Sequence, residues 1–440
     1  MGTKIWFEEN NRRAYRQFLI NLNIIKNIFL IMIKKNININ FYLLLGLIIL
    51  SFLLRFVTVY FVRDLAIGNE WNILIDNLVK FKSYSFYTFD NQLIPSAYMP
   101  PMYPFFIYLI KIIAPFEGDD LIHLIIFIQI ILSTYSVYLF YQLNQNFFSE
   151  KLSLINSFIF SFIPLNLYAC GQISSITLQV IFSLLFLKFF LLIVKEPITK
   201  NILIFSMVSG LSILTRGEFI LIFSGMIFFI LLNKKIKFIN FVKITLIVLL
   251  VISPYLVRNY IHFNQILIVK SLGYNLWKGN NQLSTVDGFE NTEKSEFTSL
   301  KYKLDNLEKN KYYEVNRDKI FLKEALYNIN NNLLRYFKLF LKKFLSYYFI
   351  DINSKYPNYY NFFHIFPIAL ISLLSFPGLF VFYRKKKIEN KCFGLYLFLN
   401  LMIFSIFFIL PRYKLAILPV QIILASYFFI YITKKLNKVS

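Results

Sequence analysis

The chain has 440 residues, 57% of them hydrophobic, and a mean hydropathy of +0.57. Lys and Arg number 47 against 23 Asp and Glu, a formal net charge of +24. In a soluble protein that excess would point to nucleic acid. Here repeated apolar runs of about 20 residues read as membrane spans, and basic residues gather on cytoplasmic loops and fix topology. An all-α polytopic membrane protein is expected, with no nucleic-acid partner. Cys170 and Cys392 lie in or near apolar runs and give no disulfide framework. Three scattered histidines make no metal site.

Residues 1–36 are basic and partly amphipathic. Lys26 interrupts the apolar run from Phe18 to Ile33, and no small-residue cleavage site follows. Residues 1–40 therefore read as a cytoplasmic or interfacial segment, not a signal peptide. Met32 before Lys34-Lys35 leaves a later start codon open. Spans are expected near 41–62, 121–143, 151–168, 173–194, 200–215, 217–233, 244–260, 361–383, 392–411 and 413–433. Counting from inside, the cytoplasm receives Lys151, Lys195 and Lys200, Lys234 to Lys243, Arg384 to Lys387, and Lys434-Lys435. Every basic cluster between spans falls on one side, as the positive-inside rule asks.

The opposite side takes the loop 63–120, short turns at 169–172 and 215–218, and a long segment, 261–360. The loop holds Asp64, Glu70, Asp76 and Asp90 in a chain otherwise poor in carboxylates, and ends at Pro100-Pro101. Pro101 to Pro115 is apolar but too short to span, so an interfacial or re-entrant helix is expected. The long segment shows helical patterns at 293–312 and 314–330, then an amphipathic stretch from Arg335 to Phe349 suited to the membrane surface. The expected divisions are 41–260 as a core carrying loop 63–120, 261–360 as the outer segment, and 361–440 as closing helices and tail.

Several cations sit at the outer ends of spans, where that rule disfavours them. They are Arg216 beside Glu218 in LTRGE, Arg258 with Asn259 in SPYLVRNY, and Arg412, Tyr413 and Lys414 in PRYK. A charge near the hydrocarbon boundary costs a few kcal/mol unless paired, which makes it a candidate site. The arginine fork also matches phosphate oxygens. Snorkelling, or an Arg216–Glu218 pair that only ties a hairpin, is the plainer reading. GYNLWKGNN suggests a polar turn. Its Asn280 is a candidate contact, and Trp277 offers either a sugar platform or an interfacial anchor. Tyr98 and Tyr103 in PSAYMPPMYP are loop contacts or anchors. Neither a phosphate-cradling glycine loop nor a nucleophile motif is present, which leaves a lone carboxylate acting as base.

The chain resembles the GT-C superfamily of polyprenyl-phosphate-sugar-dependent glycosyltransferases, in the branch of bacterial relatives of dolichyl-phosphate-mannose protein mannosyltransferases and of the lipid A aminoarabinose transferase. The resemblance covers roughly 41–430. It rests on ordered motifs: the acidic loop through SAYMPPMYP, LTRGE, SPYLVRNYIHFNQILIVKSLGYNLWKGNN, EALYNINNNLLRYFKLFLKK and PRYKLAILP. It implies a GT-C-like bundle of about ten transmembrane helices with periplasmic loops and interfacial helices, in the bacterial inner membrane. It also implies an inverting transfer, on the periplasmic side, from a polyprenyl-phosphate sugar donor among membrane lipids to a glycan, lipid or protein acceptor. The family's early Asp-Glu pair reads Asn69-Glu70 here, which leaves Glu70 as the catalytic residue with Asp64 in reserve. A second acidic position reads Ser175-Ile176-Thr177-Leu178, so metal dependence stays open: the motifs establish no cofactor, and a divalent metal is the one candidate. A transporter or flippase, and a non-catalytic membrane scaffold, are the rivals; no internal repeat of the transporter kind is visible.

Overall fold

The computed structural model describes residues 39–114, 116–354 and 362–436, without the side chains of Ile39, Asn69 and Glu70. The expectations for residues 1–38 lie outside the described residues. The chain separates into two compact units, 1–50 and 51–440. Helix α1 (Ile39–Val62) begins in the first and ends in the second. Along the second unit follow α2 (Asn69–Phe81), the strands β1 (Ser85–Phe89) and β2 (Gln92–Pro95), α3 (Met102–Ile113) and α4 (Gly118–Asn144). After these come α5 (Glu150–Phe162), α6 (Pro164–Ala169), α7 (Ile176–Lys195), α8 (Thr199–Thr215), α9 (Phe219–Leu232) and α10 (Phe238–Phe263). The segment 261–360 holds α11 (Leu272–Asn280), α12 (Thr298–Asp305), α13 (Tyr313–Asn331) and α14 (Leu333–Tyr348). The chain closes with α15 (Phe362–Arg384), α16 (Ile388–Ile406) and α17 (Leu418–Leu436).

Each of the ten expected spans holds helix. Among the described helices five are long and apolar enough to cross a membrane by themselves: α1 from Asn40, α4, α7, α10 and α15. The α3, α8 and α9 helices are apolar but shorter. Within the second unit α4 packs on α5 and α7, α8 on α7 and α10, α15 on α17, and α16 on both α9 and α14. The expected span 151–168 is two helices, because Pro164 has no amide hydrogen to continue α5 and instead opens α6. The span expected over 392–411 stops at Ile406, and Pro411–Ala416 forms a separate 3₁₀ turn before α17.

Two departures concern the segments expected on the outer side. Besides the expected helix after Pro101, the loop 63–120 carries α2 and an antiparallel hairpin, β1 with β2. Asp90 and Asn91 take φ of 48° and 59° at its tip, the left-handed pair that a two-residue hairpin turn demands. GYNLWKGNN is no turn; it is α11, packed on α13. Its Gly273 is required by that contact, since a Cβ there would stand 2.1 Å from the Asp318 carbonyl oxygen. The amphipathic α14 keeps its expected character: Leu333, Leu334, Phe337, Leu341 and Leu345 are exposed, with Arg335, Lys338 and Lys342 beside them.

One buried charge escaped the sequence reading. Arg55, inside α1, is 0% exposed. Its Nε donates to Ser133 Oγ on α4 at 2.8 Å, and Nη1 donates to the Ser51 carbonyl at 3.2 Å and to the Ser51 hydroxyl. Nη2 has no partner among the described residues. Hydroxyls, not a carboxylate, meet the cost of burying this cation.

Gly273→Ala should lower the unfolding temperature of the detergent-solubilised protein. Overpacking typically costs 1–3 kcal/mol, and here the obstructing atom is backbone that no rotamer change can move. An unchanged melting curve would show that α11 and α13 are not held at this distance.

Candidate functional site

Three features concern the candidate residues. The first is Asp64, two residues beyond α1. Its amide donates to the Gly171 carbonyl at 3.0 Å, and its Oδ2 accepts from the Ile173 amide at 2.7 Å. The short turn between α6 and α7 thus holds both the backbone and the carboxylate. Burial raises the Asp64 pKa above its ordinary value, opposed by the Ile173 amide and the Arg412 charge. Arg412 therefore lies close enough to feel this carboxylate, and it has no hydrogen-bond partner among the described residues. Glu70 falls in the first turn of α2, and its side chain lies outside the described residues.

The second feature is how the other outer cations are used. Lys414 is 5% exposed and donates to the carbonyls of Tyr347 and Phe349, each at 2.9 Å, and of Tyr348. These oxygens end α14, so the ammonium caps the negative end of that helix. Arg216 pairs with Glu218 at 3.2 Å and lies over the Tyr413 ring, 4.6 Å from its centre. This matches the plain reading of LTRGE as a tied hairpin. Arg258 donates to the Ser96 carbonyl at 2.5 Å, to the Tyr84 carbonyl at 2.8 Å and to Asn259 Oδ1 at 2.8 Å. Asn259 in turn donates to the Leu267 carbonyl. Three of the four expected cations are thus committed to the protein itself, and Arg412 is the one whose charge lowers the Asp64 pKa.

The third feature is a clasp on the PSAYMPP turn. Glu314, on α13, accepts from the Ser96 hydroxyl at 2.6 Å and from the Ala97 amide at 2.8 Å. Nothing in the sequence reading singled it out; a carboxylate within an outer amphipathic helix reads as a solvated charge. Tyr103 is 1% exposed and donates to Gln129 Oε1 at 2.9 Å. Tyr98 is half-buried, 6.2 Å from the Tyr274 ring centre. Trp277 is 0% exposed in a cluster with Phe297, Leu300, Phe321 and Ala325. That placement corrects both readings of Trp277: it is core, neither belt nor sugar platform. Asn280 donates to the Leu276 and Ile406 carbonyls and accepts from Lys343, also in the interior. Among the described residues no group of three His, Cys, Asp or Glu side chains is placed to hold a metal ion.

Beside the Pro411–Ala416 turn opens a small cleft of about 40 Å³. Tyr347, Phe349, Ile365, Ile368, Ile409 and Leu410 give it apolar walls, with Asp287 and Asp351 among its polar groups.

Residues 99–257 match the family described as dolichyl-phosphate-mannose-protein mannosyltransferase. Among curated proteins none matches the chain. The oligosaccharyltransferase of Archaeoglobus fulgidus, tethered with an acceptor peptide, superposes with a TM-score of 0.55 at 15% identity. That alignment covers 90% of this chain and 50% of the archaeal one. The oligosaccharyltransferase AglB from Archaeoglobus fulgidus, solved with an inhibitory peptide and a dolichol-phosphate, gives 0.53 at 12% identity over 90% and 51%. This chain thus spans about half the length of the solved structures it resembles, and the likeness is one of fold. ArnT from Cupriavidus metallidurans aligns over 86% of this chain and 77% of its own at 11% identity, with a TM-score of 0.38, too low to speak to the fold.

Glu314→Ala leaves the Ser96 hydroxyl and the Ala97 amide without their partner, and orphaned buried groups cost about 1–3 kcal/mol each. A clear drop in melting temperature is expected, larger than for Glu314→Gln. Burial raises the Glu314 pKa, against its bonds to Ser96 and Ala97 and the charges of Arg258 and Arg317. A raised folded pKa means that stability falls as pH rises through it. Thermal melts across pH should show that fall in the native protein and lose it in Glu314→Gln; parallel curves would contradict the assignment.

Proposed function

We propose that this relative of the GT-C superfamily is a glycosyltransferase that moves a sugar, with inversion, from a polyprenyl-phosphate donor to an acceptor hydroxyl. The observation that carries the proposal is Asp64 held by the 171–173 turn within reach of the Arg412 charge, in a chain with this fold and this family match. Asp64 takes the part of base, with Glu70 the second carboxylate of the same loop. The acceptor O–H gives its proton to the Asp64 carboxylate as the oxygen bonds to the anomeric carbon. The bond from that carbon to the donor phosphate breaks on the opposite face, and its electron pair leaves with the lipid phosphate. Arg412 would neutralise the charge growing on that leaving group, in a setting where fixed charges act most strongly.

The small cleft beside the Pro411–Ala416 turn offers apolar side chains, Ile365, Ile368, Ile409 and Leu410, to the first part of a lipid chain. The positive-inside pattern supports chemistry on the side of the membrane opposite the basic clusters, taken here as the periplasmic side of a bacterial plasma membrane. The donor sugar is a hexose or pentose, and the acceptor is lipid A, a polysaccharide or a protein. A flippase or a scaffold would not need a carboxylate opposed to a free arginine at the lipid boundary.

Asp64→Asn should lower transfer from a radiolabelled polyprenyl-phosphate sugar by two to four powers of ten, with lipid co-purification intact. Glu70→Gln should cost less. Full activity in Asp64→Asn alongside loss in Glu70→Gln would pass the base role to Glu70; full activity in both would end the proposal. Because burial raises the Asp64 pKa, the acid limb of the rate profile should lie above the ordinary carboxylate value of about 3.9. Arg412→Gln removes a charge that lowers this pKa, so the limb should move further up. A limb that stays in place would separate Arg412 from Asp64.

A further inference from the structure

Asp64 is fixed by a turn, and the turn is itself fixed from the bundle interior. Gln129, on α4, is 1% exposed. Its Nε2 donates to the Cys170 carbonyl at 3.0 Å and to the Gln172 carbonyl at 2.9 Å. Those two carbonyls flank Gly171, whose own carbonyl accepts from the Asp64 amide. One residue further, the Ile173 amide donates to the Asp64 carboxylate. Gln129 Oε1 is occupied by the Tyr103 hydroxyl at 2.9 Å. Each polar atom of the amide therefore has a bond, and the orientation of the group is set: only the NH2 end can serve two carbonyls. The turn is also pressed close to the end of α1. A Cβ on Gly171 would stand 3.1 Å from Val59 Cγ2 and 3.5 Å from the Arg63 Cα.

We propose that Gln129 is the positioning residue of the transfer reaction: through its two bonds to the 170–172 turn it sets where the Asp64 carboxylate points. The inference rests on Asp64 being the base. A buried Leu would fill the same volume and leave two carbonyls and one hydroxyl without partners, so simple packing does not account for this amide. A displacement of the turn passes directly to the carboxylate, since both ends of the Asp64 residue are bonded to it. Misplacement of a reacting group by about 1 Å can cost roughly 100-fold in rate.

Gln129→Glu tests this with the least change of shape. A carboxylate at this position still accepts from Tyr103 but donates to neither carbonyl. With purified full-length protein in detergent and a labelled polyprenyl-phosphate sugar, kcat should fall about 10- to 100-fold, with KM for the donor within roughly two-fold. Loss of the Ile173 bond should also raise the Asp64 pKa, because that bond favours the ionised form, and shift the acid limb of the rate profile upward. Among the described residues Arg412 and Tyr103 are the groups electrostatically coupled to Asp64, so Tyr103→Phe, which spares both carbonyl bonds, is the control and should leave the limb nearly in place. Wild-type kcat and limb in Gln129→Glu would overturn the inference, as would a change confined to KM. Should Gln129→Glu fail to fold, hydrogen exchange at the Ile173 amide decides in Gln129→Asn, whose shorter arm reaches the turn poorly: faster exchange supports the inference and unchanged exchange overturns it. An active Asp64→Asn protein would sink the base assignment itself, whereas an inactive one with a normal Gln129→Glu sinks only this inference.

Discussion

The outer architecture depends on how one peptide of the first loop is gripped. The Ser96 carbonyl takes a hydrogen bond from Arg258 at the end of α10, and the Ser96 hydroxyl and Ala97 amide give theirs to Glu314 on α13. The Ala97 carbonyl then accepts from the Lys270 amide at 2.7 Å. A short stretch thus ties together the loop after α1, the exit of α10 and the outer helices, three regions far apart in sequence. The charges that do this are buried, where a hydrogen bond to an ionised group is stronger and an unpaired one more costly than in water. The tight turn through Pro100-Pro101 into α3 follows from the clasp, since the chain enters it already fixed.

Much of this was legible in residues 41–440, because apolar runs of span length and the placement of Lys and Arg are one-dimensional signals. The helix ends shifted where local chemistry overrode hydropathy, as at Pro164 and after Ile406. The hairpin at 85–95 was readable too: alternating residues around Asp90-Asn91 are a two-residue turn signal, and the reading of that stretch as a carboxylate-bearing loop concealed it. The GYNLWKGNN block misled for a clear reason. Gly and Asn favour turns in isolation, but here Gly273 buys proximity to the Asp318 backbone, and Trp277 fills the core so created.

The candidate site was legible in part. Sequence alone found the outer cations and the acidic loop. It could not tell which cations are spent on carbonyls, because backbone acceptors carry no residue signature. Lys414 and Arg258 look like ligand-binding charges on paper, and both bond main-chain oxygens. Arg55 was missed because a single cation does not end a span by composition. Gln129 was missed for the opposite reason: a neutral amide inside α4 gives no charge to notice, yet it carries three of the hydrogen bonds around the turn.

These assignments divide the polar groups by the kind of partner each holds. Lys414 and Arg258 neutralise dipoles, the ends of helices and turns whose carbonyls would otherwise lie open near the hydrocarbon boundary. Arg216 neutralises Glu218, a fixed charge. Arg412 differs because its neighbour Asp64 already satisfies a carboxylate oxygen with the Ile173 amide. The attraction between the two charges is therefore only partly used within the protein. In the proposed reaction the Ile173 amide, rather than Arg412, holds a carboxylate oxygen of Asp64, which leaves the arginine available to a phosphate.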